Sequence, residues 1–270
     1  MTSFSIGPLA ISLARVFLIA GLVAVFLAAR APAARLGIDL QRPLWVALLV
    51  GLVAARLGYV ATHLADFAAQ PVQILFFWQD GYLPWLGVAA GAAAAWGLAR
   101  LGRYPAHSLL GPLLAGVLVW GGLTWVVNGL TDAIEQPLPD LALESVSGDD
   151  VRLRGFGGQP VVVNLWATWC PPCRREMPVL AAAQRSRQAA HFVFINQGEG
   201  AKAVRDFLAG EGLDLKNVLL DPAGRISQQF GARGMPTTLF FDARGRLADY
   251  HLGELSAARL SDYLDNLDKQ

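Results

Sequence analysis

Four apolar runs, each about as long as a bilayer core is thick, crowd into the first half of this chain and restrict how it can fold. They cover residues 7–29, 43–65, 82–101 and 108–130. Only a helix or a closed barrel satisfies every backbone N–H and C=O inside lipid, and runs of this length read as helices. Residues 1–131 contain no lysine, and most charges lie after Thr131. The apolar content of 54% over 270 residues is too high for one soluble domain and averages two unlike halves. We read residues 1–131 as a four-helix transmembrane domain, 132–139 as a short polar linker with prolines, and 140–270 as a soluble domain. The net charge of +1 carries no basic surplus, which excludes nucleic acid as an indicated partner.

Arginines set the expected orientation. Arg30, Arg35 and Arg42 lie in the first loop and Arg100 and Arg103 in the third, whereas residues 66–80 contain no Lys or Arg. The positive-inside rule then puts loops one and three in the cytoplasm and both chain ends outside. Trp78, Tyr82 and Trp125 fall at the expected outer interface, and Trp45 and Tyr104 at the inner one, as an aromatic belt would. The rival reading is a cleaved signal peptide over residues 1–31, but that stretch begins without a basic region. The short linker predicts a soluble domain held within a few tens of Å of the membrane, roughly.

Two cations fall inside expected spans. Arg15 and Arg56 lie at similar depth, roughly 12–14 Å below the outer surface at 1.5 Å per residue. Charge within a span is costly, so each is a candidate site residue. Two like charges at one depth point to a shared anion such as a membrane lipid phosphate. The competing reading is that each snorkels or bonds a backbone carbonyl.

The soluble half holds the chain's only two cysteines, in Trp169-Cys170-Pro171-Pro172-Cys173. The β-branched run 160–166 before them reads as a buried strand, and 174–188 after them as a helix. The dithiol thus lies on the first turn of a helix. Unpaired N–H groups and the helix dipole there stabilise a thiolate on Cys170. Cys173, one turn on, is placed to resolve a mixed disulfide. Pro171 and Pro172 stiffen a turn where a missing N–H costs little. A structural staple over so short a loop would add little stability. A zinc site would need two more ligands, and His63, His107, His191 and His251 are scattered, so no metal is expected. Redox chemistry is the reading that remains, with the cysteine pair itself in place of a cofactor.

Around this motif, strands are expected at 141–144, 151–153, 160–166, 191–197, 217–220, 237–242 and 246–252. Helices are expected at 174–188, 201–211, 225–230 and 256–267, the last capped by Ser256. Strands alternating with helices and ending in a hairpin and a helix indicate an α/β sheet.

The run from Asn164 to Pro178, with Gly231-Ala232-Arg233-Gly234-Met235-Pro236-Thr237-Thr238, resembles the TlpA/ResA/CcmG class of membrane-tethered thioredoxin-fold reductases over residues 137–268. That resemblance implies Cys170 as attacking thiolate, Cys173 as resolving thiol and Pro236 as a cis-proline facing them. It implies that Trp169, Met235 and Thr237 meet the client, with Met235 offering backbone groups to an extended segment. Trp166 either flanks the site or packs in the core. Where thioredoxin has a buried Asp, this chain has Asn164, which cannot titrate. The resemblance passes the acid/base role to Glu176, against the plain alternative of a solvated helix glutamate.

A second resemblance is to prolipoprotein diacylglyceryl transferases. It rests on Ala54-Ala55-Arg56-Leu57-Gly58-Tyr59, the segment 71–78 and the glycine-rich 81–91, and covers residues 50–95. Trp85 stands where that family carries a histidine, and its later Arg/Asn/Glu motif is missing, so transferase activity is not expected. With no cysteine in residues 1–131, the membrane half cannot relay electrons by thiol exchange.

The expectation is therefore a bacterial inner-membrane, multi-pass protein whose periplasmic domain is a thiol:disulfide oxidoreductase. It would mainly reduce client disulfides, such as those of cytochrome c or copper-site maturation. A membrane thiol donor of the DsbD/CcdA kind would re-reduce it. The alternatives are a disulfide oxidase or isomerase, a lipid- or lipoprotein-binding protein whose redox domain serves that client, and a plain anchor.

Overall fold

The structure is a computed structural model that describes the backbone of residues 3–6, 9–69, 71–102, 104–131 and 136–269. It contains a helical unit over residues 12–132 and an α/β unit that includes residues 133–270.

Two short strands come first, β1 (Ser3–Ile6) and β2 (Leu9–Ser12), paired with each other. The first long helix, α1, runs from Leu13 to Leu36, so it starts and ends nearly two turns later than the run 7–29 predicts. Alanines 28, 29, 31, 33 and 34 have the highest helix propensity and carry it past the apolar run. Then follow α2 (Gln41–Thr62), α3 (Leu64–Ala69), α4 (Pro84–Arg100) and α5 (Ala106–Thr131). Three stretches, Arg15–Leu36, Gln41–Thr62 and Ala106–Val127, are each 22 residues long and apolar enough to cross a membrane. The third of the four expected spans, 82–101, becomes the 17-residue α4. At 1.5 Å per residue α4 is about 25 Å long, short of a hydrocarbon core of about 30 Å. The residues before it are drawn off the helix into an irregular segment, where Leu83 N–H donates to Ala55 O at 3.1 Å.

Small residues let these helices touch backbone to backbone. On α2 they are Ala47, Gly51 and Ala55, and on α4 Gly87 and Gly91, each spaced by four. A Cβ on Gly51 would come within 2.7 Å of Gly87 O, and one on Gly91 within 3.1 Å of Ala47 O. Gly21 on α1 and Gly116 on α5 make a second such contact, with a Cβ on Gly21 reaching 3.0 Å from Gly116 O. This is how helices associate where apolar burial itself provides no drive. Their outer faces expose Ile19, Leu49, Val53, Leu57, Leu118 and Trp125, each more than half accessible.

The α/β unit is one seven-stranded sheet. Its strands are β3 (Ala142–Ser145), β4 (Asp150–Arg152), β5 (Val161–Trp166), β6 (His191–Gln197), β7 (Val218–Asp221), β8 (Thr237–Phe241) and β9 (Leu247–Leu252). In space the order is β4-β3-β7-β6-β5-β8-β9, with β5, β6 and β7 parallel and the other neighbours antiparallel. The helices are α6 (Pro171–Ser186), α7 (Ala201–Gly210), α8 (Arg225–Gln229) and α9 (Ala257–Leu267). Ser256 caps α9 by accepting from Arg259 N–H.

The central strand β5 is buried along its whole length, because helices cover both faces of the sheet. Its alternation still sorts the faces. Val161, Val163 and Leu165 pack with Ile226 and Phe230 on the α8 side. Val162 and Trp166 pack with Met177 of α6 and Leu260 and Leu264 of α9 on the other. Asn164 shares the even-numbered face and so turns toward α6.

Of the expected linker, residues 132–135 lie outside the described residues. Residues 136–138 belong to the α/β unit: Gln136 O accepts from Leu247 N–H, Leu138 N–H donates to Gly245 O, and Leu138 is buried. The boundary thus falls before residue 136 rather than at 140, because this apolar leucine has a place in the core.

Candidate functional site: a dithiol at a helix N-terminus

Strand β5 ends at Trp166, a tight turn closed by Cys170 N–H on Ala167 O follows, and α6 begins. Cys170 is the N-cap of α6, in extended conformation, and its Sγ accepts from Cys173 N–H at 3.3 Å. A sulfur in this place satisfies one of the orphan donors of the helix end, and a thiolate would do so better. Cys170 and Cys173 are joined as a disulfide. Cys170 is 4% exposed and Cys173 is 0% exposed, so only the first sulfur has any access from outside.

Glu176 follows one turn later on the same face of α6. It is fully buried, not a solvated glutamate. Its Oε1 accepts from Asn164 Nδ2 at 2.8 Å and its Oε2 from Leu255 N–H at 2.9 Å. Burial pushes its pKa up to about 8, against the pull of the Leu255 and Asn164 hydrogen bonds, and the Glu254 charge adds to the rise. Asn164 Nδ2 also donates to Thr238 Oγ1 at 3.1 Å, while Asn164 Oδ1 has no partner among the described residues. The carboxyl is thus mostly protonated near pH 7, and its minority carboxylate is a much stronger base than that of an ordinary glutamate.

The loop after β9 ties the site together. Gly253 N–H donates to Pro236 O at 2.9 Å, and Arg175 Nη2 meets Glu254 Oε2 at 2.6 Å. The Met235–Pro236 peptide is cis. Met235 is half-buried against the apolar cluster that contains both cysteines. Trp169 is 65% exposed, a large apolar surface beside Cys170. Trp166 belongs to the core, fully buried and 5.5 Å from the ring of Phe207. Thr237 is also fully buried, its hydroxyl donating to Gly234 O at 2.7 Å. Its side chain therefore braces the turn that holds Met235.

The two arginines expected within spans have partners within the protein. Arg56 is buried and makes five hydrogen bonds, to the carbonyls of Gln73, Ile74, Phe76, Asp80 and Gly81. A guanidinium has five N–H groups, so none is left for a lipid phosphate. Phe67 and Tyr82 cover the group at 5.4 and 5.6 Å. Arg15 meets the Asp80 carboxylate at 3.8 Å, with both side chains about half exposed. The carbonyl-bonding alternative holds for Arg56, because the short 3-10 turns of 71–75 and 77–79 and the residues after them leave carbonyl lone pairs that no long helix takes up. Replacing Arg56 by Met should cost about 3–5 kcal/mol by orphaning those buried carbonyls. Arg15→Ala should cost under about 1 kcal/mol. Unfolding in detergent micelles measures both.

Nothing in the local pattern pointed to Glu199, Glu254 or the Leu255 N–H. They arrive from loops whose positions follow from strand order alone.

The chain is similar to known proteins in both halves. The Redoxin family profile matches residues 133–267. The Prolipoprotein diacylglyceryl transferase profile matches residues 1–124, a longer stretch than the 50–95 expected. Thiol-disulfide oxidoreductase ResA of Halalkalibacterium halodurans is 28% identical over 160 residues, 57% of this chain and 90% of that one. Thioredoxin-like protein YneN of Bacillus subtilis is 32% identical over 136 residues, 48% of this chain and 78% of that one. A crystal structure described as a putative thiol:disulfide interchange protein DsbE from Chlorobium tepidum aligns with a TM-score of 0.44 and 28% identity, over 49% of this chain and 96% of that one. Half the chain, including both cysteines, the buried glutamate and the cis-proline turn, thus falls within one family, and the protein belongs to the Redoxin family.

Proposed function

We propose that this protein is a membrane-anchored, periplasmic thiol:disulfide oxidoreductase that mainly reduces client disulfides. The observation that carries this is the placement of Cys170 at the α6 N-cap, with the buried Glu176 one turn beyond Cys173. In the reduced protein the Cys170 thiolate attacks one sulfur of the client disulfide. A Cys170–client S–S bond forms, and the other client sulfur leaves as a thiolate and takes a proton. Glu176 in its carboxylate form then withdraws the proton from Cys173, whose thiolate attacks Cys170 Sγ, and hands that proton to the departing client sulfur. The mixed disulfide breaks, the second client sulfur leaves as a thiol, and the Cys170–Cys173 disulfide remains. Two electrons and two protons have passed to the client. A membrane thiol donor of the DsbD/CcdA kind would return them.

Trp169 and the Met235 backbone would receive an extended client segment, such as the cysteine stretch of a cytochrome c or copper-site client. Three span-length helices, the exposed apolar faces and the arginine-bearing loops support a multi-pass anchor with the dithiol outside the cytoplasm.

The test is a trap with Cys173→Ala. Mixed with a purified disulfide-containing peptide, the variant should gain the mass of one peptide half on Cys170, while the wild type releases both halves. No adduct would sink the exchange reading. A reduction potential near −120 mV, about that of DsbA, would overturn the reductase direction in favour of an oxidase.

A further inference from the structure

We infer that Glu199 is a positioning residue for the Cys170 nucleophile, through a clamp on Thr168 that holds the dithiol turn when the disulfide is open. The inference rests on the thiol-exchange reading above. Strands β5 and β6 are parallel neighbours, with Trp166 opposite Asn196. The segments that follow them therefore leave the sheet side by side, 167–170 from one strand and 198–200 from the other. Across that gap the Glu199 carboxylate takes three donors. Its Oε2 accepts from Thr168 N–H at 2.7 Å and from Asn196 Nδ2 at 2.8 Å. Its Oε1 accepts from the Thr168 hydroxyl. Both donors of Thr168, main chain and side chain, thus end on one carboxylate.

The Asn196 amide is fully buried, and its Oδ1 has no partner among the described residues. Its bond to Glu199 is therefore what orients it, and it in turn fixes the carboxylate. The turn that carries Trp169 and Cys170 has Cys170 N–H on Ala167 O as its own closing bond. In the oxidised protein the disulfide also pins Cys170 to the helix. On reduction that covalent link is lost, and what holds Cys170 at the N-cap is this turn. Charge-assisted hydrogen bonds to a carboxylate are among the stronger ones available, so the clamp is suited to the task. If the turn loosens, Cys170 Sγ drifts from Cys173 N–H and its thiolate loses the helix-end stabilisation.

The effect should appear in the reduced protein and in the chemistry of Cys170. Three variants of the full-length protein in detergent decide it, read by thiolate absorbance against pH and by the rate of exchange with a small aromatic disulfide at pH 7. Glu199→Ala should raise the Cys170 pKa by about one unit and slow exchange about tenfold. Glu199→Gln should stay within about threefold of wild type. Its oxygen can still accept from Thr168 N–H and Asn196 Nδ2, and the Thr168 hydroxyl can rotate to accept from the new amide. Gln184→Ala is the control for lost hydrogen bonds as such. Gln184 also makes three, to Lys216 O, Lys216 N–H and Phe192 O, and it lies near the far end of α6. It should leave pKa and rate unchanged.

An unaltered Cys170 pKa and rate in Glu199→Ala overturns the inference. So does equal loss in the Ala and Gln variants, since Gln keeps the acceptor that the clamp needs, and loss of a negative charge alone would lower the Cys170 pKa. If Glu199→Ala fails to fold, Thr168→Val removes only the hydroxyl arm and should shift pKa and rate the same way by a smaller amount; no shift counts against the clamp. Failure of the wild type to exchange at all would instead sink the reading of the dithiol.

Discussion

The oxidised wild-type protein should lose about 4–5 kcal/mol of stability between pH 4.5 and pH 8, and Glu176→Gln should remove that slope. The sign follows from linkage. Burial raises the Glu176 pKa from its ordinary 4.5 to about 8. Between those values the folded protein keeps a proton that the unfolded chain releases. Stability from this group is therefore greatest below pH 4.5, falls as pH rises toward 8, and is flat above it. Denaturant titrations at pH 5, 7 and 9 measure it. Glutamine fits the same space, and after an amide flip its N–H can reach the unpartnered Asn164 Oδ1, so the variant should fold. A wild-type curve with no more slope than the variant would show that Glu176 is not held neutral. The variant should also accumulate mixed disulfide during turnover, because no group beside Cys173 then takes its proton.

Cys170→Ala should lower the rate of disulfide reduction by about a thousandfold or more, since nothing else in the site can open the client bond. Cys173 cannot stand in for it: it is 0% exposed, and its N–H is turned toward Cys170 Sγ. Cys173→Ala should instead carry out the first half of the reaction at near wild-type rate and stop. Stopped-flow mixing with a small disulfide, with and without a second thiol, separates the two. If Cys170→Ala reduces clients as fast as Cys173→Ala, the assignment of nucleophile and resolving thiol is wrong.

The halves of the chain differed in how much could be read from them. In the α/β half the strands were legible because β-branched runs between turn residues have few other uses. The strand 191–197 is observed where it was expected, and the helix after the cysteines starts at Pro171, as a proline-led first turn should. In the helical half, hydropathy located the apolar segments but not their ends. It cannot tell a 17-residue helix held against α2 by glycines from a full span, since both are apolar throughout. Hydropathy also could not say where Arg56 spends its hydrogen bonds. That depends on the carbonyls of a segment some twenty residues further on in the chain, which lack a regular ladder.

The sequence alone determined that Cys170 and Cys173 form a redox pair at a helix start. Everything that chemistry needs at first order, two thiols one turn apart and a helix end with free N–H groups, is local in the chain. Only the tertiary structure decided how the pair is controlled. Glu176 becomes an acid of raised pKa because β5, α6 and the loop before α9 close over it and exclude water. Glu199 reaches Thr168 because two parallel strands end side by side. Burial and cross-strand approach arise between residues far apart in sequence, and no spacing along the chain encodes them.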